Sequence, residues 1–377
     1  MDWKIATGIV GFFVAVFWWI LVHCHRLFPL LKAQSHTRLY FSPTCLTRSE
    51  IGFVLSLFVF RSLGSVLEWL HLSRRSGNEA TDHLYLSMPL KVNRADLDQY
   101  RKAVTGTHYN NINWDNMQLS VMLSALSEPA MLLLLATRKN KIKPLGSVNV
   151  RNHFELFRPE LCTPEQLVSH KEITLLASAS NEFRPVKRGF EIDLTVSINV
   201  SDGSQRSPIT AFQQTFTMLQ FAKTNSQVTT DINSDQTKLS TSPSLKGNFS
   251  FANQEPSAWA KVCKDYNPIH TSVVAARMFG FPGKLAHGNH ILARACTTDV
   301  ASNYFASLTS SQPLWVKVSF KRPVMVPSQL ELRIDTNDDL HSTTEASAAF
   351  EINSKGKLRV IGCMGMLNRT HATAVVT

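Results

Sequence analysis

Residues 5–22, near the start of the sequence, form an apolar run that contains no charged side chain. Its length suits a helix that crosses a bilayer, and the aromatic cluster of Phe17, Trp18 and Trp19 suits the membrane interface. A cleaved signal peptide is the alternative, but His23-Cys24-His25-Arg26 makes a poor small-residue cleavage site. We therefore predict that residues 1–30 form an uncleaved N-terminal membrane anchor, a transmembrane helix.

A second apolar run covers residues 51–72, inside a juxtamembrane segment at 31–80. Arg61 and Glu68 interrupt this run and lie seven residues apart, on one face of a helix. Such a helix can lie in the membrane interface, return through the membrane, or pack against a folded domain. The sequence leaves these three arrangements open.

Further along the chain, the apolar pattern changes to one typical of strands. Residues 173–177, 191–200 and 211–221 are rich in β-branched and aromatic side chains, which favours antiparallel strands. Residues 119–136 form an apolar, helix-like run that Glu128-Pro129 interrupts. Residues 224–257 are rich in Ser, Thr, Asn and Gln, so we interpret them as a polar linker. The pattern predicts an α+β protein.

The strongest chemical motif is the run Asp265-Tyr-Asn-Pro-Ile-His270. An acid and an imidazole five residues apart can act on one water molecule. Asn267 and Pro268 predict a rigid loop that enters a helix at about Thr271 or Ser272. Downstream, the Gly288 N–H precedes a helical run and can polarise a carbonyl oxygen.

A metal site is the alternative interpretation of the same residues. His270, His287 and His290 with Asp265 offer suitable ligands, and His287 and His290 would share a helix face. The chain has no HExxH spacing and no paired cysteines to complete a zinc site. We therefore favour acid/base chemistry and expect no metal.

The residues from Asp265 to His270, with Gly280-Phe281 and Leu285-Ala-His-Gly288, resemble the signature of the MaoC-like, (R)-specific enoyl thioester hydratases of the hotdog superfamily. The resemblance implies that Asp265 and His270 are the catalytic pair and that Asn267 orients them. It also implies that Asn267, His287 and Gly288 bind the substrate, with the Gly288 N–H donating to the thioester carbonyl. No cofactor is expected. The strand-like residues 313–323 are similar to the family's strand after its central helix.

The chain is long enough for two hotdog units. His108-Tyr-Asn-Asn-Ile-Asn113 repeats the spacing of the motif, with His108 in the place of Asp265 and Asn113 in the place of His270. Residues 148–159 end in Phe-Arg-Pro, much as residues 320–323 do. We therefore expect a degenerate N-terminal hotdog at 81–223 and a catalytic MaoC-like hotdog at 258–377, each an antiparallel sheet wrapped around a long helix.

The resemblance implies a hydro-lyase that hydrates trans-2-enoyl thioesters or dehydrates (3R)-3-hydroxyacyl thioesters, in fatty acyl or polyketide-like metabolism. Its substrate would be carried by coenzyme A or acyl carrier protein, and double-hotdog chains could form a homodimer. Two positions depart from the family pattern: Cys263-Lys264 replaces a small residue and Gly, and Asn289 replaces a hydrophobic residue. These departures favour the alternative of a non-catalytic acyl-thioester-binding scaffold protein at a membrane.

The charge of +11 suits anionic lipid headgroups or a phosphorylated carrier. Nucleic acid is not expected, because the basic residues are dispersed and no nucleic-acid motif accompanies them. Basic residues at 26, 32, 38 and 48 follow the first span. We expect a single-pass membrane protein with its catalytic region in the cytosol, on an internal membrane such as the endoplasmic reticulum; a mitochondrial location stays open.

Overall fold

The computed structural model describes residues 14–16, 18–32, 34–69, 83–106, 112–169, 172–201, 207–222, 244–309, 312–335 and 348–367. Most of the degenerate motif at 108–113 lies outside these residues, as does the first part of the apolar N-terminal run.

The alternating apolar positions of the described chain form one largely antiparallel sheet. Its strands are β1 (His36–Arg38), β2 (Leu84–Pro89), β3 (Ser147–Leu156), β4 (Glu172–Ala179), β5 (Arg184–Val186), β6 (Gly189–Ser201), β7 (Ile209–Phe221), β8 (Ser244–Phe251), β9 (Leu314–Phe320), β10 (Ser328–Asp335), β11 (Ala348–Ser354) and β12 (Lys357–Met366). The spatial order is β1-β2-β4-β6-β7-β3-β9-β12-β11-β10-β8, and β5 pairs with β6 outside this path.

Helices cover and connect these strands. They are α1 (residues 14–16 and 18–24), α2 (Arg48–Trp69), α3 (Arg94–Thr105), α4 (Asn116–Ala136), α5 (Pro164–Val168), α6 (Glu255–Cys263), α7 (Pro268–Thr271), α8 (Val273–Met278), α9 (Gly288–Cys296) and α10 (Asp299–Thr309). Short 3₁₀ turns occupy His25–Leu31, Pro43–Cys45 and Pro159–Leu161.

The sheet contains the same topology twice. The N-terminal strands follow the spatial order β2-β4-β6-β7-β3, and the C-terminal strands follow the matching order β8-β10-β11-β12-β9. β3 pairs antiparallel with β9, and Leu156 faces Leu314 in this central register. β3 and β9 are also the two strands that precede the Phe-Arg-Pro and Phe-Lys-Arg-Pro sequences. The duplication expected from the sequence is therefore visible in the strand order.

Helix α4 is the core helix of the N-terminal half. Nearly all its side chains are buried, and it packs on β3, β4 and β6. The side chain of Asp115 caps it by accepting the Gln118 N–H. Pro129 lies inside the helix, so Glu128-Pro129 does not interrupt it as the sequence suggested. Among the residues that the structure describes, two helical segments are long and apolar enough to span a membrane: α4, which the protein buries, and Val14–Leu31 near the N-terminus, which is mostly exposed.

The segment after α1 belongs to the folded domain. Leu27 and Leu30 are fully buried, and β1 pairs in parallel with β2. Arg26 donates two hydrogen bonds to Glu50, at 2.8 and 2.7 Å, and the Glu50 carboxylate is buried. The boundary predicted at residue 30, with a separate juxtamembrane segment after it, is therefore wrong: the fold takes in residues from about His25 onward.

Helix α2, the second apolar run, packs against this domain along residues 48–62. Ile51, Val54 and Phe58 are buried. The Arg61 guanidinium donates to the carbonyls of Leu135 and Asn140 and, at 2.9 Å, to that of Ile142. These carbonyls lie at and after the C-terminus of α4, where the helix dipole favours a cation. Of the three arrangements left open by the sequence, the structure adopts packing against the domain.

The polar segment 224–257 is not a linker throughout. Residues 223–243 lie outside the described part, but residues 244–251 form β8, which pairs with β10 over its full length. Glu255 then begins α6. Alternate side chains of β8 face solvent and are mostly polar. The sequence of β8 therefore has too few apolar residues to be recognised as a strand. The C-terminal unit thus includes Ser244 and does not begin at residue 258.

Replacing Arg61 tests the packing of α2. We expect Arg61→Met to destabilise the protein by about 2 kcal/mol, because three carbonyls lose a charged donor. Thermal unfolding of the full chain in detergent measures the effect. The matched control is Arg48→Met on the same helix, where the side chain is exposed and little change is expected. Equal melting temperatures for the two variants would show that Arg61 does not hold α2 on the domain.

Candidate active site

The motif loop is held between two helix ends. Helix α6 ends at Cys263, and Lys264 follows with φ 57° in the left-handed region, where glycine is favoured. This conformation explains why the related family has glycine here. Asn267 is the N-cap of α7, since its side chain accepts the Ile269 N–H, and Pro268 takes the first helical position. His270 lies within this one-turn helix. The helix entry expected at Thr271 or Ser272 follows it, because the Ser272 side chain caps α8 by accepting the Ala275 N–H.

Asp265 and His270 face one another across a short gap. The Asp265 carboxylate accepts the Asn267 N–H at 3.0 Å, which fixes one of its oxygens. His270 Nδ1 lies 2.9 Å from the Leu285 carbonyl oxygen. A carbonyl only accepts, so Nδ1 carries the hydrogen and Nε2 is left with a lone pair. That Nε2 lies 3.9 Å from the second carboxylate oxygen of Asp265.

His287 completes the cluster from the other side. Its Nε2 donates to the main-chain carbonyl of Asp265 at 3.1 Å and lies 3.6 Å from the carboxylate. Its ring stacks on that of His270, with centroids 3.7 Å apart. His287 thus supports the His270 ring and the Asp265 backbone at the same time.

Burial keeps both imidazoles neutral. It lowers the pKa of His270, an effect that the Asp265 charge and the Leu285 carbonyl oppose. It also places the pKa of His287 well below the ordinary value, and the neighbouring histidines lower it further. At neutral pH, His270 is therefore an uncharged ring whose free nitrogen can accept a proton.

Asp265, His270 and His287 each offer a ligand atom, and these atoms lie within 4.8 Å of one another. A divalent ion is therefore the alternative occupant of this place. His290 does not join the group, because its Nε2 donates to the Ala103 carbonyl and its ring stacks on Trp259. His287 Nε2 would have to give up its hydrogen and its carbonyl partner to bind a metal. The cluster fits acid/base chemistry better than metal binding.

Gly288 is the first residue of α9, and His287 is its N-cap. The first N–H groups of a helix have no partner within the helix, and the helix dipole favours negative charge there. A Cβ at Gly288 would lie 2.6 Å from the Phe320 ring, so the ring leaves room for hydrogen only. The structure thus brings the predicted oxyanion donor next to His287, on the same turn.

Asn289, one of the two departures from the family pattern, is buried between the two halves of the chain. It is only 4% exposed, and its amide bridges the two halves of the chain. Its Nδ2 donates to Ser124 Oγ of α4 at 3.0 Å, and its Oδ1 accepts from Asn152 of β3 at 2.6 Å. A hydrophobic side chain would leave those two polar groups unpaired, which explains the departure from the family pattern.

Glu128 of α4 is a nearby group that the sequence reasoning did not assign to the site. It is 7% exposed, and burial raises the pKa of its carboxyl well above the usual range, with the Asp265 charge raising it further and a hydrogen bond to Asn289 opposing both. Burial and the Asp265 charge thus both disfavour the ionised form of this carboxyl. Glu128 is the one charged residue of α4, and this was the signal that could have found it.

Comparisons with known proteins find a similar domain and similar folds. A model of the MaoC like domain matches residues 232–352. The 3-hydroxyacyl-thioester dehydratase X of Mycobacterium tuberculosis is 25% identical over 251 residues, which cover 66% of this chain and 79% of that protein. Its crystal structure, named HtdX, aligns at 22% identity with a TM-score of 0.54, over 75% of this chain and 100% of the other.

A MaoC-like dehydratase from Phytophthora capsici aligns at 13% identity with a TM-score of 0.51, over 76% of this chain and 96% of that one. Likeness at this level supports the fold, and the domain match supports the family. Residues 232–352 therefore match the MaoC like domain, the chain has a hotdog fold, and the protein is an enzyme of the hydro-lyase class.

Proposed function

We propose that this enzyme is an (R)-specific trans-2-enoyl thioester hydratase that also runs as a (3R)-3-hydroxyacyl thioester dehydratase. The observation that carries the proposal is the pairing of His270 Nε2 with the Asp265 carboxylate at 3.9 Å, with the other ring nitrogen committed to Leu285. The relative named a 3-hydroxyacyl-thioester dehydratase supports the same substrate class, with coenzyme A or acyl carrier protein as the thioester carrier.

In the hydration direction, a water molecule lies in the gap and donates to His270 Nε2 and to the Asp265 carboxylate. His270 takes a proton as the water oxygen bonds to C3, and the electrons of the C2–C3 double bond move toward the thioester carbonyl. The Gly288 N–H stabilises the enolate-like oxygen. The proton held by the pair then passes to C2. Dehydration follows the same steps in reverse.

The experiment is hydration of trans-2-enoyl-CoA by the full-length chain in detergent, followed by loss of the enoyl thioester absorbance. We expect the product to be oxidised by a (3R)-specific dehydrogenase and not by a (3S)-specific one. His270→Gln and Asp265→Asn should each lower kcat by about 10²-fold or more, because each removes a proton-transfer group. Thermal unfolding confirms that both variants fold.

The matched control is His83→Gln, at an exposed histidine of the N-terminal half, which should keep full activity. Dialysis against a chelator tests the metal alternative and should leave turnover unchanged. Binding of acyl-CoA without turnover by the unmodified chain would favour the scaffold alternative instead. Turnover that survives both site substitutions would overturn the mechanism.

The pH profile follows from the buried histidine. The pKa of His270 is lowered from 6.5 by burial, so the ring stays unprotonated as the pH falls through 6.5. Hydration should therefore persist below that value and decline only as the pH passes the lowered pKa, because protonated His270 cannot accept a proton from water. A decline in kcat/KM centred at or above 6.5 would contradict this assignment.

We also propose that α1 attaches the enzyme to a membrane, with the catalytic region in the cytosol. Support comes from the large apolar side chains that α1 exposes, among them Trp18 at 67% and Trp19 at 46%. The segment from Leu27 onward is folded into the domain, so the attachment rests on the residues before it. The full chain should co-sediment with membranes after alkaline extraction, and protease added to intact vesicles should digest the domain. Release into the supernatant would overturn the anchor.

A further inference from the structure

A buried polar network joins the first turn of α9 to the N-terminal half of the chain, and the proposed mechanism gives this network no role. Asn289 directly follows Gly288, the proposed oxyanion donor. Its Nδ2 donates to Ser124 Oγ at 3.0 Å, and its Oδ1 accepts from Asn152 Nδ2 at 2.6 Å. Asn152 in turn accepts from Asn149 Nδ2 at 2.9 Å. These hydrogen bonds therefore connect β3 to α9 and α9 to α4.

The network is costly to disturb because it is buried. Ser124, Asn152 and Asn289 are 0%, 2% and 4% exposed. A buried donor or acceptor that loses its partner costs about 1–3 kcal/mol, since water cannot replace the lost hydrogen bond. A shift of the first turn of α9 would lengthen the bonds on one side or the other. The network therefore holds this turn at a fixed distance from α4 and from β3.

Strand β9 holds the same turn at a second point. The Phe320 ring packs so closely against Gly288 that a Cβ there would lie 2.6 Å from it. In the central register, Asn152 of β3 faces Val318 of β9. Side chains two residues apart, such as those of Val318 and Phe320, project from the same face of a strand. The pairing of β3 with β9 thus sets the spacing between the contact at Gly288 and the contact at Asn289.

The position of this turn matters for the chemistry. An N–H group stabilises developing negative charge only when it is directed at the oxygen that carries the charge. His287, the N-cap of α9, accepts no hydrogen bond from the helix through its side chain. Displacing a catalytic group by about 1 Å can cost about 10²-fold in rate. The strength of the oxyanion contact therefore depends on what holds the start of α9.

We propose that Ser124 and Asn152, acting through Asn289, are positioning residues that direct the Gly288 N–H at the thioester carbonyl. This inference rests on the proposed function. The N-terminal half, which lacks the acid/base pair, thereby takes part in stabilising the transition state. The family pattern has a hydrophobic residue at position 289, so this coupling through a side-chain amide is a departure from that pattern.

Two substitutions weaken the network at different points. Ser124→Ala removes one hydroxyl, and Asn289→Leu removes the shared partner of Ser124 and Asn152. The assay is hydration of trans-2-butenoyl-CoA by the full-length chain in detergent. We expect kcat to fall about tenfold with Ser124→Ala and about 10²-fold with Asn289→Leu. KM should change by less than about threefold, because the oxyanion contact strengthens in the transition state.

Helix α4 supplies a matched control for each variant. Ser120→Ala removes another fully buried hydroxyl, which donates to the Asn116 carbonyl within the same helix. Asn116→Leu removes another buried amide that joins the two halves, by donating to the Gln312 carbonyl at 2.8 Å. Neither of these bonds reaches α9. The controls should lower the melting temperature as the network variants do, but keep kcat within about twofold.

A second readout does not depend on turnover. Butanoyl-CoA is saturated and cannot be hydrated, and a hydrogen bond to its thioester carbonyl lowers the C=O stretching frequency. Isotope-edited infrared spectra of the bound ligand should show this lowering in the unmodified chain and in both controls. The lowering should be smaller in Ser124→Ala and Asn289→Leu. Ser124→Ala gives an independent reading if thermal unfolding shows that Asn289→Leu does not fold.

The outcomes separate the two hypotheses. Failure of the unmodified chain to hydrate any enoyl-CoA would remove the proposed function, and the positioning role with it. Hydration by the unmodified chain, with kcat and carbonyl frequency unaltered in both network variants, would leave the function intact and overturn the positioning role. Equal losses of kcat in the network variants and the controls would also overturn it, because the losses would then reflect stability alone.

Discussion

Hydrogen bonds from buried histidine rings to main-chain carbonyls govern the chemistry of this protein. His270 donates to Leu285, His287 to Asp265 and His290 to Ala103. A carbonyl oxygen can only accept a hydrogen bond, so the ring nitrogen that faces it must carry the hydrogen. Each of these bonds therefore fixes one tautomer and one ring orientation. Burial then keeps the rings neutral. Together these constraints direct a basic nitrogen of His270 at the Asp265 carboxylate and leave His287 as its support.

The N-terminal half contributes to this arrangement although it lacks the acid/base pair. Its helix α4 supplies Ser124, which accepts a hydrogen bond from Asn289, and Glu128, a buried carboxyl whose pKa is raised by burial and by the Asp265 charge. Its strand β3 supplies Asn152 and pairs with β9. A sheet edge left unpaired would expose a row of backbone donors and acceptors, so the second unit completes the sheet as well as the buried polar network around the site.

Helix α2, the second apolar run of the chain, also packs into the folded domain. The apolar run of α2 would be a plausible membrane element by composition alone. Instead, Arg61 places its charge on the carbonyls at the end of α4, and Ile51, Val54 and Phe58 are buried against the domain. That packing brings an apolar wall next to Asp265. One helix thus connects the N-terminal part of the chain to the candidate active site.

The sequence by itself determined the features that depend on neighbouring residues. The motif from Asp265 to His270, the helix after Gly288 and the strands β4, β6, β7 and β9 all follow from local spacing and periodicity, and the structure contains each of them. Asn267 and Pro268 also predicted a rigid loop that enters a helix at about Thr271 or Ser272, and Ser272 caps α8 there. The one-turn helix α7 before it was not expected, although Pro268 suits a first helical position.

Only the tertiary structure decided what depends on distant residues. It placed β8 in a polar segment, because pairing with β10 can order a strand that has few apolar residues. It gave Asn289 its hydrogen-bond partners Asn152 and Ser124 and brought Glu128 toward Asp265. It also packed α2 against α4. These contacts join residues far apart in the chain, and the free energy that selects them comes from burial and hydrogen bonding in the assembled core, which no local pattern encodes.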